Sequence, residues 1–162
     1  MITASGPYQA LAGRLEQILE DTRRVVERAG LLLKKARQTG DDGYMDGVAL
    51  NLHCFYAGMA SCFEDIARTV DGAMPTSANW HKELLQQMTA DMKALRPAVI
   101  GRKTRDCLDE YRAFRHLVRN IYTFHLKPER LDALAAEAEP CFEACRKDLD
   151  AFIDFLRKLD TV

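Results

Sequence analysis

The chain has no long hydrophobic run, no surplus of either charge, few aromatic residues, few prolines and no C-x-x-C pair. No window approaches the ~20 apolar residues needed to cross a bilayer, which excludes a membrane-spanning helix. Met1 to Tyr8 carry neither the basic start nor the apolar stretch of a secretory leader, so a soluble, cytoplasmic protein is expected. Lys and Arg number 23 against 24 Asp and Glu, a formal net charge of -1. No global basic excess pulls such a chain onto nucleic acid, and any RNA contact must come from a local patch. Cys54, Cys62, Cys107, Cys141 and Cys145 form no C-x-x-C pair and sit inside apolar helical stripes, the pattern of buried thiols in a reducing compartment. Cys141 and Cys145 with His53 or His116 lack the paired-ligand spacing of a zinc site at both ends, so neither a metal nor any other cofactor is expected.

What is present is helical periodicity. At 162 residues, with 48% apolar and 29% charged side chains, the chain suits one domain over residues 1–162 with a continuous core. Leu11, Leu15, Ile18, Thr22, Val25, Ala29, Leu32 and Ala36 form the seam of a long helix that stops at Gly40. Val48, Leu52, Phe55, Met59, Cys62, Ile66 and Val70 repeat the pattern to about Asp71-Gly72, and Ala57, Gly58, Ala60 and Ser61 thin this helix for a close neighbour. A turn-rich passage with Pro75 leads to a shorter helix from Trp80, capped by Asn79, to about Lys93, closed by Arg96-Pro97. A fourth helix after Gly101 carries Leu108, Tyr111, Phe114, Leu117, Val118 and Ile121 and ends before Pro128. A fifth opens near Pro128 and is kinked or interrupted at Pro140. No segment alternates as a strand does. Four long helices and a short one predict an all-α, up-and-down bundle.

The fourth helix has the most informative stretch, residues 112–122. At ~100° per residue, Arg112, Arg115, His116, Arg119, Asn120 and Tyr122 fall within roughly 160° of arc, and Phe114, Leu117, Val118, Ile121 and Phe124 fill the rest. The bland reading is a solvated face paired with acids such as Asp109, Glu110 and Glu129. Against it, no acid interrupts the run after Arg112, and a cluster of like charge repels itself unless an anion or a partner's acids complete it. An anion site is the stronger expectation.

The sequence resembles the HepT-like branch of the HEPN superfamily. The resemblance rests on an Arg, four residues of which the first is polar, a His, one residue and then a Tyr, here Arg115, His116 in the polar slot, Asn120 in the His slot and Tyr122. Residues 55–58, 63–67, 80–85 and 96–99 look like the family's helix and loop segments, and the resemblance spans roughly residues 10 to 158. It implies a two-fold homodimer, a toxin–antitoxin role beside a minimal (MNT-type) nucleotidyltransferase antitoxin, and metal-independent cleavage of RNA. Arg115 is then the phosphate clamp, Arg112 and Arg119 extend the phosphate track, and Tyr122 accepts AMP from the partner.

The chain departs from the pattern at Asn120. A carboxamide can hydrogen-bond a ribose or phosphate oxygen, but it does not titrate near neutrality and cannot serve as general acid or base. His116 is the candidate replacement base, from the neighbouring slot one turn before Asn120. His125 lies toward the apolar side and reads as a structural histidine, as do His53 in the second helix and His81 beside the core anchor Trp80. The resemblance therefore leaves two functional readings, a ribonuclease with an altered site and a non-catalytic partner of a nucleotidyltransferase that binds nucleotide or RNA. A third is a helical bundle whose arginines only make ion pairs.

Overall fold

The computed structural model describes residues 6–120 and 126–159 of the chain. Five helices follow in order, α1 (Gly6–Thr39), α2 (Gly43–Ile66), α3 (Trp80–Thr89), α4 (Arg102–Asn120) and α5 (Pro128–Lys158), with no named strand among the described residues. The all-α bundle expected from periodicity is what forms. α2 is its axis, packing on all the other helices. It buries Val48, Leu52, Phe55, Tyr56, Met59, Phe63 and Ile66 on more than one face, as a central helix must. Gly58 matters here: a Cβ at that position would collide with the hydroxyl of Thr22 on α1, so glycine lets α1 and α2 close up. No described helix is long and apolar enough to cross a membrane.

α1 ends where expected, with Gly40 in the left-handed region at φ 69°. Its seam drifts from the heptad reading. Leu19, Val26 and Leu33 are buried while Ile18 and Val25 are only partly so, because a straight helix of 3.6 residues per turn rotates away from a strict three-four repeat. α2 passes into a π-helical turn, Ala67–Asp71, before the left-handed Gly72 at φ 66°.

α3 is shorter than periodicity predicts, ending at Thr89 and not near Lys93. The reason lies outside the helix. The chain folds back so that the backbone N–H groups of Val99 and Ile100 both donate to the Met88 carbonyl (2.8 and 3.2 Å), and the Arg96 guanidinium donates to the carbonyls of Gln87 and Ala90. Those acceptors are satisfied without further helix. Asn79 occupies the N-cap position but its side chain makes no capping bond. Ser77 does that work, accepting from the Asn79 N–H at 3.1 Å and donating to Glu83 at 2.7 Å.

α5 runs through Pro140 as one helix, so the expected interruption does not occur. A proline costs one backbone bond and a local clash. Here Leu134 and Ala138 before it, and Cys141, Phe142, Cys145 and Leu149 after it, are buried, so packing on both sides offsets that loss.

α4 is fixed to α5 along its length, and this sets where its arginines point. The Asp148 carboxylate accepts from the Gly101 N–H (3.0 Å) and the Thr104 hydroxyl (2.7 Å), capping the start of α4 from a neighbouring helix. Cys107 and Cys141, expected as thiols, are joined as a disulfide with Cα atoms 5.9 Å apart. Helical stripes place each cysteine on an inner face but do not show that the two faces meet. Cys54, Cys62 and Cys145 remain free. The Tyr111 hydroxyl donates to the Leu134 carbonyl at 2.7 Å, and its ring lies edge-on to Phe55 with centroids 4.9 Å apart. With Thr104, Leu108, Tyr111 and Phe114 facing inward, Arg112, Arg115 and Arg119 are turned toward the start of α3 and the side of α2.

Candidate functional site

Of the three arginines in the 112–119 stretch of α4, only Arg112 meets an acid among the described residues, donating to Asp109 one turn earlier at 2.6 Å. The paired-face reading holds for that residue alone. Arg115 and Arg119 meet no carboxylate among the described residues, whereas Arg14, Arg23, Arg37, Arg96, Arg146 and Arg157 each do.

Arg115 instead points its Nη1 at Nε2 of His81, 3.1 Å away. A guanidinium can only donate, so Nε2 accepts and the imidazole is neutral with its proton on Nδ1. That Nδ1 is buried and has no hydrogen-bond partner among the described residues. One face of the imidazole stacks on Trp80 with ring centroids 3.5 Å apart, and Tyr56 of α2 lies 6.1 Å away. Burial, then the charges of Arg115, Arg112 and Arg119, lower the His81 pKa to about 4.

His53 of α2 repeats the pattern more weakly. Its Nδ1 is also buried without a partner among the described residues, and burial followed by Arg115 and Arg119 holds its pKa below the ordinary value. Burial also raises the Tyr56 phenol, against the opposing pull of Arg112 and Arg115. Two neutral histidines and a tyrosine therefore stand beside cations that lack counter-charges.

The arginine face opens on a hollow of about 240 Å³ lined by Asn79, His81 and Lys82 at the start of α3 and by Arg112, Arg115 and His116 of α4. Roomier hollows lie elsewhere. One of about 420 Å³ between α4 and α5 is mostly apolar, floored by Cys107, Tyr111, Leu134 and Cys141. Another, of about 430 Å³, lies by the Arg37–Asp132 pair. Neither gathers cations that lack acids. Chemistry, not size, selects the smaller one.

The residues expected at the site are thus only partly brought together. Arg112, Arg115 and His116 line one cavity, and Arg119 acts electrostatically on its histidines. Asn120 is turned away from the role its slot implies: its Nδ2 donates to the His116 carbonyl at 2.6 Å, closing the last described turn of α4. Tyr122 and His125 lie outside the described residues. The sequence alone presents His81 and His53 as packing residues, yet they are the histidines that touch or feel Arg115. His53 and Tyr56, three apart on α2, share a face and offered a local hint; nothing local ties Trp80-His81 to a helix thirty residues later.

Fold and site together define an all-helical bundle that displays a cationic, histidine-bordered face on one helix. A family model for HepT-like proteins matches residues 47–156. The chain belongs to the HepT-like family of the HEPN superfamily, as its motif suggests, and the matched span is narrower than residues 10 to 158, with α1 falling before it. No match is found among curated proteins or among solved structures.

Proposed function

We propose that this protein is the HepT-like component of a toxin–antitoxin pair and that its α4 face holds the phosphate backbone of RNA. The observation that carries this reading is Arg115 at the cavity, with Arg119 one turn further along α4 near enough to act on the same histidines, neither meeting a carboxylate among the described residues. Two guanidiniums without counter-charges favour an anion that brings two or more oxygens, and a phosphodiester offers them at the right geometry. The two-fold dimer, the nucleotidyltransferase partner, AMP transfer to Tyr122 and a cytoplasmic setting belong to the same proposal and rest on the family.

Turnover is a separate matter from binding. Asn120 cannot exchange a proton, and its amide is engaged with the helix backbone. This favours, as a second reading, a protein that binds RNA or a nucleotidyltransferase substrate without cleaving it.

The test is RNA cleavage and binding by the unaltered protein beside Arg115→Ala and Asn120→His, with metal chelated. Binding is expected for the unaltered protein, with affinity that falls as salt rises, and its loss is expected for Arg115→Ala. Cleavage by the unaltered protein that disappears in Arg115→Ala makes it a working ribonuclease; cleavage only after Asn120→His makes it a binding relative. Binding indifferent to both salt and Arg115 removes the proposal.

A further inference from the structure

We propose that His81 is the proton-accepting member of this site, neutral and bonded to Arg115 in the free protein and protonated when an RNA phosphodiester engages Arg115 and Arg112. This deepens the phosphate-binding reading and rests on it.

The argument begins with the bond between Arg115 and Nε2. In the free protein the lone pair of His81 is occupied by a guanidinium donor. A second proton on the ring would set a cation against Arg115, with Arg112 and Arg119 close enough to be felt. A phosphodiester reverses both obstacles. It offers Arg115 a better acceptor than an imidazole nitrogen, and so draws the guanidinium off Nε2. It also supplies negative charge beside the arginines, so that of the two causes keeping the ring neutral, burial and the arginines' field, the second is offset. Once protonated, Nε2 changes from acceptor to donor and can bond a phosphate oxygen itself.

The surroundings suit the cationic ring. Trp80 lies stacked on it, and an indole face is the best aromatic support for a cation. Nδ1 keeps its proton throughout, so nothing on the buried side must change. The charged and titratable groups around the ring are His53 and Tyr56 from α2, Arg112, Arg115, His116 and Arg119 from α4, and Lys82 beside it on α3. The acids nearest this group are Asp109, bonded to Arg112, and Glu64, both of which act on Tyr56, whereas the charges that act on His81 itself are the three arginines. Of the groups around the ring only His53 and His116 are of a type that titrates in the same range as His81.

Binding should therefore take up one proton at His81. Affinity for a phosphodiester, which does not itself titrate in this range, should rise by up to about tenfold for each pH unit between the value His81 takes in the complex and about 4, its value in the free site. The experiment follows histidine ring resonances of the full chain by NMR from pH 4 to 8, with and without a 2′-O-methylated trinucleotide, which cannot be cleaved at the ribose. His81 is assigned by His81→Gln, and independently by elimination with His53→Asn, His116→Gln and His125→Gln.

Without the probe, His81 should titrate near pH 4; with it, at least one pH unit higher. The affinity of the unaltered protein should climb as pH falls, and His81→Gln should flatten that slope while still binding. If the trinucleotide perturbs Arg115 and His81 titrates where it did before, the His81 inference fails and phosphate binding stands. If the trinucleotide does not bind anywhere between pH 5 and 8, both fail.

Discussion

Arg96 and Arg115 are the same residue type put to opposite uses on either side of α3. Arg96 is buried, with its side chain 0% and that of Asp71 1% exposed, and it makes a two-pronged pair with the Asp71 carboxylate at 2.6 and 2.8 Å. Its remaining N–H groups go to the carbonyls of Ala90, Pro97 and Gln87, so every donor is used. Gln87 completes the shell by donating to Asp71 at 2.8 Å. Arg115 is half-buried, has a neutral histidine for its described partner and faces a cavity. The difference teaches where to look for function in an arginine-rich helical protein. A guanidinium whose hydrogen bonds are closed within the chain is architecture, and one left with an unmatched charge is available to a ligand.

The contrast is broken most severely at Asp71. Asp71→Ala leaves Arg96 buried without its counter-ion and is expected to cost about 3–5 kcal/mol in urea unfolding. A cost below ~1 kcal/mol would mean that the node is not what holds α3, the π-helical turn and the return loop together.

A smaller effect is expected from acid. The unfolded chain protonates His81 near its ordinary value of 6.5, while the folded site resists until about pH 4. Stability of the free protein should therefore fall as pH drops through that window, because the unfolded state binds the extra proton first. His81→Gln should flatten this part of the stability profile, and an unchanged slope would place the proton elsewhere.

The smallest effect on stability belongs to Arg115 itself. Arg115→Ala should shift unfolding by no more than about 0.5 kcal/mol while weakening RNA binding strongly. A large stability loss in that variant would put Arg115 in the same class as Arg96 and erase the comparison.

The sequence made much of the scaffold legible because helix signals are local. The stop of α1 at Gly40, the start of α5 at Pro128 and the close approach at Gly58 all follow from residues within a few positions of the feature. The shortened α3, the Cys107–Cys141 bond and the uninterrupted Pro140 do not, since each depends on what a distant segment supplies. The site divides in the same way. The arginine face could be read from the spacing of one helix, whereas the Arg115–His81 contact joins residues 34 apart in sequence. Arg96 shows the reverse error: beside Pro97 it reads as a helix terminator, and only its burial shows it to be the hub of a polar node.

Asp148 has a consequence for the bearing of the whole arginine face. By gripping Gly101 and Thr104 it fixes the azimuth of α4 at its first turn, and every later side chain inherits that angle. The helix is keyed at one end like a shaft in a collar. One residue inserted between Thr104 and Arg112 would swing Arg115 by about 100° away from His81 while leaving its charge, its neighbours in sequence and its motif intact.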